Sequence, residues 1–166
     1  MADEDEKVSY FHLSGAMLAL GSIIMPGNWG RMIKTLGWQH NLAIREMALE
    51  NARVARYPNR PSRLDASFVL PTLEEARNFK QLIGGFGNHI LYRVTLCDPD
   101  ALSHITDSRL CGPAGNIRHD WVDVYWMDFA AQAAALPGID WAAATGGLQL
   151  REMLTLSQLR IEERLD

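Results

Sequence analysis

Glu152 is the residue whose type and position in this sequence most strongly suggest chemistry. When residues 148–156 are read with the period of two that a strand requires, one face carries this glutamate among leucines. The leucines of that face are Leu148, Leu150, Leu154 and Leu156. A lone carboxylate on an apolar face is costly unless another group pairs with it, and such departures from pattern are expected at functional sites. The alternative is a bulge or an edge strand that leaves Glu152 in water.

A histidine and a phenylalanine lie in two other predicted strands. His12 lies near the end of a strand at residues 8–13, just before a Ser-Gly turn. Phe68 lies in a strand at residues 66–70, which continues into a helix that opens at residues 71–77. From the residues alone, a core histidine satisfied by a backbone carbonyl and a plain core phenylalanine are the simpler interpretations.

Two predicted loops add three polar or aromatic candidates. Arg63 follows a rigid Pro-Ser turn and could reach a phosphate, for which the guanidinium fork is well suited. The alternative is a surface arginine in a loop. Asn28 and Trp29 follow a Pro-Gly turn and could line a ligand pocket, although a tryptophan that caps the core is the competing interpretation.

The elements that position these residues indicate an α+β protein. Strands are predicted at residues 8–13, 22–24, 66–70, 89–97, 148–156 and 159–163, and helices at 39–56, from 71 to just before 84, and at 119–135. Their order lacks the regular β-α-β alternation of a parallel sheet, so we expect a small, largely antiparallel sheet. Residues 1–8 are predicted to be an acidic flexible tail, and residues 9–166 to form a single domain.

Composition excludes several classes of protein. The formal net charge of −4 does not favour nucleic acid or an anionic membrane as a partner. Four of the histidines, His40, His89, His104 and His119, lack ligand spacing, so no metal site is expected. No phosphate-binding loop with its lysine and no dinucleotide-binding glycine fingerprint is found. The acidic N-terminus argues against a signal peptide, no apolar run is long enough to cross a membrane, and a cytoplasmic protein is expected.

A histidine, an aromatic residue and a glutamate, in that order on three predicted strands, resemble the ADP-ribosyltransferase superfamily. The closest likeness is to its His-Tyr-Glu branch, which includes diphtheria-type toxins, poly-ADP-ribose polymerases and the small rifampicin-modifying transferases. Residues 20–30 and 61–64 look like those of a poorly characterised small bacterial group in that superfamily, whose fold some anti-CRISPR proteins share. The resemblance implies a compact fold in which helices flank small, largely antiparallel sheets.

The resemblance also implies NAD as the substrate and a role for each candidate. Glu152 would stabilise positive charge on the ribose and bind its hydroxyl, while His12 would bind the other ribose. The backbone of Leu13 would hold the nicotinamide amide, and Phe68 would stand where the family usually has a stacking tyrosine. The remaining residues of the implied NAD site are Ser14, Asn28, Trp29 and Arg63.

Three residues depart from the pattern of the superfamily. Leu13 replaces a frequent glycine, and its side chain crowds the site. Phe68 can stack on a ring but lacks the tyrosine hydroxyl. Leu150 stands where arginine-modifying toxins carry Glu or Gln, so arginine is a less favoured acceptor.

Three functions are compatible with the sequence. The first is an NAD-dependent mono-ADP-ribosyltransferase that modifies a macromolecule, with a protein as the most expected target, in phage–host or toxin–antitoxin conflict. The second is an NAD glycohydrolase of the same fold, with water as the acceptor. The third is a catalytically inactive protein-binding module, which the departures at Leu13 and Phe68 keep open.

Overall fold

The computed structural model describes residues 8–82, 86–112, 116–138, 140 and 150–166. Its strands are β1 (Tyr10–Ser14), β2 (Ile23–Ile24), β3 (Ser67–Val69), β4 (Ile90–Leu96), β5 (Ser103–Asp107), β6 (Arg151–Thr155) and β7 (Leu159–Arg164). Its helices are α1 (Asn28–Leu36), α2 (Asn41–Arg56), α3 (Leu73–Leu82), α4 (Val122–Trp126) and α5 (Phe129–Ala135), with a 3-10 turn at Ser108–Cys111. The protein is therefore α+β, as predicted.

Two antiparallel sheets form the centre of the molecule. The first has the strand order β1-β4-β7-β2, and the second has the order β3-β6-β5. An isolated bridge between Phe11 and Leu70 joins β1, at the edge of the first sheet, to the end of β3, at the edge of the second. Its two backbone hydrogen bonds are 3.0 and 2.8 Å long. This bridge thus joins the edge of one sheet to the edge of the other, between β1 and the end of β3.

The packing of the sheets separates an inner face from two outer faces. Val69 and Met153 of the second sheet pack against Tyr92, Val94 and Ile161 of the first. This inner core is apolar because alternate residues of the paired strands project to the same side.

The outer face of each sheet is covered by helices. On the first sheet, Leu91 packs with Ala76 of α3. On the second sheet, Leu154 packs with Leu49 of α2 and with Tyr125 and Trp126 of α4. Glu152 lies two residues before Leu154 in the same strand, so its side chain projects towards this helical layer.

Several predicted elements required correction. The predicted helix at residues 119–135 is two helices, because the backbone becomes extended at Met127 between α4 and α5. The predicted loop that was to hold Asn28 and Trp29 is instead the start of α1, which follows Gly27 in a left-handed conformation, with φ of 88°. β5 and the 3-10 turn were not predicted.

The closing strands agree more closely with the prediction. β7 matches the strand predicted at residues 159–163, and β6 occupies the centre of the one predicted at 148–156. Leu156 is 40% exposed rather than part of an apolar face, and Leu148 lies outside the described residues. Most of the predicted tail, residues 1–7, also lies outside them. In the ranges given above, no helix has both the length and the apolar character needed to cross a membrane.

Candidate functional site

Glu152 is buried in the middle of the second sheet. Its strand lies between β3 and β5 with a continuous register on both sides, and Thr106 is its direct neighbour on β5. Only 6% of the residue is exposed. The alternative of a bulge or edge strand that leaves Glu152 in water is therefore wrong, and the carboxylate requires partners inside the protein.

Two side chains hold one oxygen of this carboxylate. Arg63 Nη1 and the hydroxyl of Tyr125 each donate to Glu152 Oε1 over 2.7 Å. The Cys111 Sγ lies 3.6 Å from the same oxygen. Among the described residues, none donates a hydrogen bond to Oε2. Glu152 is thus an oriented carboxylate whose Oε1 is held by two donors, whereas Oε2 accepts no hydrogen bond from a described residue.

Arg63 is itself buried between two carboxylates, with 4% of the residue exposed. Its Nε and Nη2 donate to the two oxygens of Glu46, over 2.7 and 3.2 Å. Arg45 also donates to Glu46, over 2.9 Å. The alternative interpretation of Arg63 as a surface arginine is wrong, and the three nitrogens of Arg63 that would bind a phosphate are already engaged with Glu46 and Glu152.

Six buried side chains therefore form one connected group, which we call the Glu152 cluster. Its members are Arg45, Glu46, Arg63, Cys111, Tyr125 and Glu152. Its two arginines and two glutamates balance in charge, which is the condition under which buried ions are tolerated.

Local structure delivers Arg63 to this cluster. The loop between α2 and β3 is fixed by Ser62, whose hydroxyl donates to Glu50 over 2.9 Å and accepts from the backbone N–H of Leu64 over 3.2 Å. Glu50 in turn makes a two-pronged ion pair with Arg53 on the next turn of α2. The loop is thus anchored to α2, the same helix that carries Glu46.

The surroundings set the protonation of the cluster. Burial, opposed by Arg63 and reinforced by Glu152, raises the pKa of Tyr125 well above its usual value, so its hydroxyl stays a donor. Burial raises the pKa of the Cys111 thiol to about 12, which makes it a poor nucleophile at neutral pH.

The two ion-paired neighbours shift in the directions that keep them charged. Burial alone would raise the pKa of Glu46, but Arg63 and Arg45 lower it below the usual value. Burial alone would lower the pKa of Arg63, but the acidic groups around it, Cys111 and Glu46 foremost, raise it well above the usual value. Both groups therefore carry full charges at neutral pH.

Aromatic rings enclose the cation. The guanidinium carbon of Arg63 lies 4.9 Å from the ring centre of Phe68 and 5.0 Å from that of Tyr125. Trp29 contacts Phe68 edge-on at 6.3 Å between ring centres, and its buried indole N–H has no hydrogen-bond partner among the described residues. The structure therefore brings Phe68, Arg63 and Trp29 together with Glu152, as a site formed by these residues requires.

His12 hydrogen-bonds to the backbone of Phe68 and not to its side chain. Its Nδ1 lies 2.9 Å from the carbonyl oxygen of Phe68. A carbonyl only accepts, so Nδ1 carries the proton, and the neutral ring presents its lone pair at Nε2. Burial lowers the pKa of His12 below its usual value, although this hydrogen bond opposes the shift. The lowered pKa favours the neutral ring.

His12 and Glu152 lie on opposite faces at the junction of the sheets. The bridge pairs Phe11 with Leu70, and residues that pair directly share a face. His12 therefore projects to the other face than Leu70 and Phe68, whereas Glu152 shares the face of Phe68. The two predicted catalytic residues flank β3 from its two sides.

Three predicted NAD-site residues make their described contacts outside the Glu152 cluster. Leu13 pairs with Leu91 and packs in the α3 core. The Ser14 hydroxyl bonds the backbone of Ala16. Asn28 is exposed and accepts a hydrogen bond from Arg31.

Sequence reasoning missed four members of the Glu152 cluster: Arg45, Glu46, Cys111 and Tyr125. Glu46 had a usable signal, because it lies four residues after Leu42 and three before Leu49 on the buried side of α2. Tyr125 was assigned to the core, which is correct for its ring but overlooks its hydroxyl.

A metal centre and a surface cavity are the two other kinds of binding site to consider. In the part of the chain that the structure describes, no group of three or more His, Cys, Asp or Glu residues could hold a metal ion. A cavity of about 330 Å³ lies at the end of α2, away from Glu152. It is lined by Arg56, Tyr57, Pro58, Asn59 and Arg60. Its two arginines are paired with Asp123 and Asp128, so we assign it no anion.

Comparison with known proteins places the chain in a family. A comparison with curated proteins gives no match. Residues 19–116 match the model of a family described as "Protein of unknown function (DUF2441)". The matched segment contains Arg63 and Phe68 and ends before Tyr125 and Glu152. The match covers more than half of the 166 residues, and the chain therefore belongs to the DUF2441 family.

Proposed function

We propose that this protein is an NAD-dependent mono-ADP-ribosyltransferase that modifies a protein target. One observation carries the proposal: His12, Phe68 and Glu152 stand on three neighbouring strands, β1, β3 and β6, where the two sheets meet. The same order of residue types carries the resemblance of the sequence to the ADP-ribosyltransferase superfamily.

The chemistry asks for a fixed negative charge beside the ribose. The bond between the ribose and nicotinamide breaks with its electron pair leaving on nicotinamide, through an oxocarbenium-like transition state. An acceptor on the target then bonds to the ribose carbon and loses its proton. Glu152 stabilises the developing positive charge through Oε2, the oxygen that no described residue occupies.

His12 and the aromatic residues give the proposal two further supports. The Nε2 lone pair of His12 accepts a hydrogen bond from a hydroxyl of the second ribose. NAD is long and carries its two riboses far apart, so His12 and Glu152 do not need to lie on one face. Phe68 offers an aromatic ring beside Glu152. The indole N–H of Trp29 offers a hydrogen-bond donor that no described residue uses.

The acceptor is a protein in this proposal because the charge of −4 does not favour nucleic acid. The test is incubation of the purified protein with NAD labelled in its adenylate half and with cellular proteins. Glu152→Gln runs in parallel, since Gln keeps the acceptor oxygen but loses the charge. Glu162→Gln is the control, because it removes the same charge from a different strand, where Glu162 accepts a side-chain hydrogen bond from Thr95 over 2.6 Å.

Each outcome of this test decides something. Label on a protein band that Glu152→Gln loses and Glu162→Gln keeps supports the proposal. Nicotinamide release without a labelled band contradicts the transferase in favour of the glycohydrolase. An absence of turnover in the wild-type protein, with pull-down of a partner that Glu152→Gln retains, contradicts both in favour of a binding module.

A further inference from the structure

Tyr125 donates its neutral hydroxyl to Glu152 Oε1 over 2.7 Å. The residue is fully buried, and its ring packs edge-on against Trp126 at 4.8 Å between centres. Packing alone needs the ring and not the hydroxyl, because a buried hydroxyl is costly unless it is bonded. Here it donates to Glu152 and accepts from Arg63, so it lies at the centre of the Glu152 cluster.

The backbone of Tyr125 is held more tightly than a short helix requires. Its carbonyl oxygen lies 2.9 Å from His104 Nε2, 2.9 Å from the hydroxyl of Thr106 and 3.2 Å from Gln132 Nε2. His104 and Thr106 belong to β5, and Thr106 pairs directly with Glu152 in the sheet. Thr106 therefore links the strand position of Glu152 to Tyr125, the residue that binds the Glu152 carboxylate.

We infer that Tyr125 is a positioning residue, which holds Glu152 Oε1 so that Oε2 faces the substrate. The inference rests on the proposed function. A carboxylate held at one oxygen cannot rotate its charge away from the ribose, so less reorganisation is needed as the transition state forms. A hydrogen bond from a neutral hydroxyl also favours the ionised carboxylate.

The charged and titratable groups that face Glu152 come from five parts of the chain. They are Arg63 from the loop before β3, Tyr125 from α4, Cys111 from the 3-10 turn, His104 from β5, and Arg45 and Glu46 from α2. Arg63 is the main cation, and it remains when the Tyr125 hydroxyl is removed. Loss of that hydroxyl should therefore free the carboxylate to turn, without leaving its charge uncompensated.

The test is Tyr125→Phe, which keeps the ring and its packing. Tyr92→Phe is the matched control, because Tyr92 is also fully buried and its hydroxyl accepts a hydrogen bond from the backbone N–H of Leu18 over 2.9 Å, in the inner core. Three quantities are measured: kcat for NAD, KM for NAD, and the position of the NMR signal of the Glu152 carboxyl carbon at neutral pH.

We expect kcat of Tyr125→Phe to fall roughly tenfold or more, which corresponds to the loss of one hydrogen bond to a charged group. KM should change by less than about twofold, because the hydroxyl contacts no substrate atom. The NMR signal of the Glu152 carboxyl carbon should move at neutral pH, because Oε1 loses one of its two close donors. Tyr92→Phe should leave all three quantities unchanged.

The failure of the inference and the failure of the proposed function are distinct. Wild-type turnover with an unchanged kcat or an unchanged Glu152 carboxyl signal in Tyr125→Phe overturns the inference and leaves the proposed function standing. Equal losses in Tyr125→Phe and Tyr92→Phe also overturn it, since the effect would then be a general loss of a buried hydroxyl. A wild-type protein that does not consume NAD overturns the proposed function, and the inference with it.

Discussion

Replacing Arg63 with methionine should be among the most destabilising single changes in the Glu152 cluster. The cation bonds Glu46 through two nitrogens and Glu152 through a third. The side chains of all three are at most 7% exposed, so water cannot replace the guanidinium. Methionine fills much of the same volume, and the change therefore isolates the charge from the packing.

The magnitude follows from the charges that are left. Removing one partner of a buried ion pair costs about 3–5 kcal/mol, because the other charge stays buried without compensation. Arg45 still bonds Glu46, and Tyr125 still bonds Glu152, so the cost should not double. For a chain of this size, that loss lowers the melting temperature by roughly 10 °C.

The assay is chemical and thermal unfolding of Arg63→Met beside Arg56→Met. Arg56 is paired with Asp123 at the surface, where the side chains are 53% and 46% exposed. Such an exposed pair contributes at most about 1 kcal/mol, so this variant removes an arginine and an ion pair without burial. A loss in Arg63→Met no larger than that in Arg56→Met would refute the account of the cluster.

The pH dependence gives a second check on the same variant. In the folded wild-type protein the pKa of Glu46 is lowered, because Arg63 and Arg45 outweigh the effect of burial. Its ion pair therefore stabilises the fold above the unfolded pKa of about 4.3, and this stabilisation is lost as pH falls through the folded pKa. Without Arg63 the pKa of Glu46 should rise, so the stability difference should be largest near neutral pH and narrow below about pH 4.

Three further outcomes follow from other contacts. Gly30→Ala should cost about 1–3 kcal/mol in thermal unfolding, because its Cβ would lie 2.1 Å from a backbone oxygen, whereas Gly138→Ala, which meets nothing within 4 Å, should be near neutral. A thiol reagent should label Cys97 in the native protein and Cys111 only on unfolding, since the second thiol is buried with a pKa of about 12. Nitrogen NMR at pH 7 should show His12 neutral with its proton on Nδ1; a neutral ring protonated on Nε2 would contradict the hydrogen bond to Phe68, and a doubly protonated ring would contradict the lowered pKa.

Apolar periodicity predicted the elements whose buried faces are apolar. β4 was predicted at residues 89–97 and spans Ile90–Leu96, because Leu91, Tyr92 and Val94 all enter a core. β5 was missed because its buried residues are polar: His104 and Thr106 are satisfied by the carbonyl of Tyr125 rather than by apolar packing. A pattern that counts apolar residues gives no signal for such a strand.

The break between α4 and α5 has a similar cause. Residues 119–135 keep helical spacing, yet the chain turns at Met127. The buried side chain of Gln132 donates to the carbonyls of Tyr125 and Met127, which the interrupted helix leaves without helical partners. Because that compensation comes from a residue on the following helix, local propensity could not reveal the break.

The case of Glu152 shows what the sequence can and cannot establish about the site. The pattern showed that this carboxylate needed a partner, but its partners lie 89 and 27 residues away, at Arg63 and Tyr125. Those partners also make the structural and catalytic roles separable. Gln at position 152 keeps an oxygen for both donors but leaves two buried arginines with one glutamate, so its cost in stability should lie at the lower end of that for a broken buried ion pair, about 3 kcal/mol. If Glu152 is purely structural, Glu152→Gln should lose only as much activity as it loses folded protein. If the charge stabilises an oxocarbenium-like state, the folded variant should lose activity far beyond that.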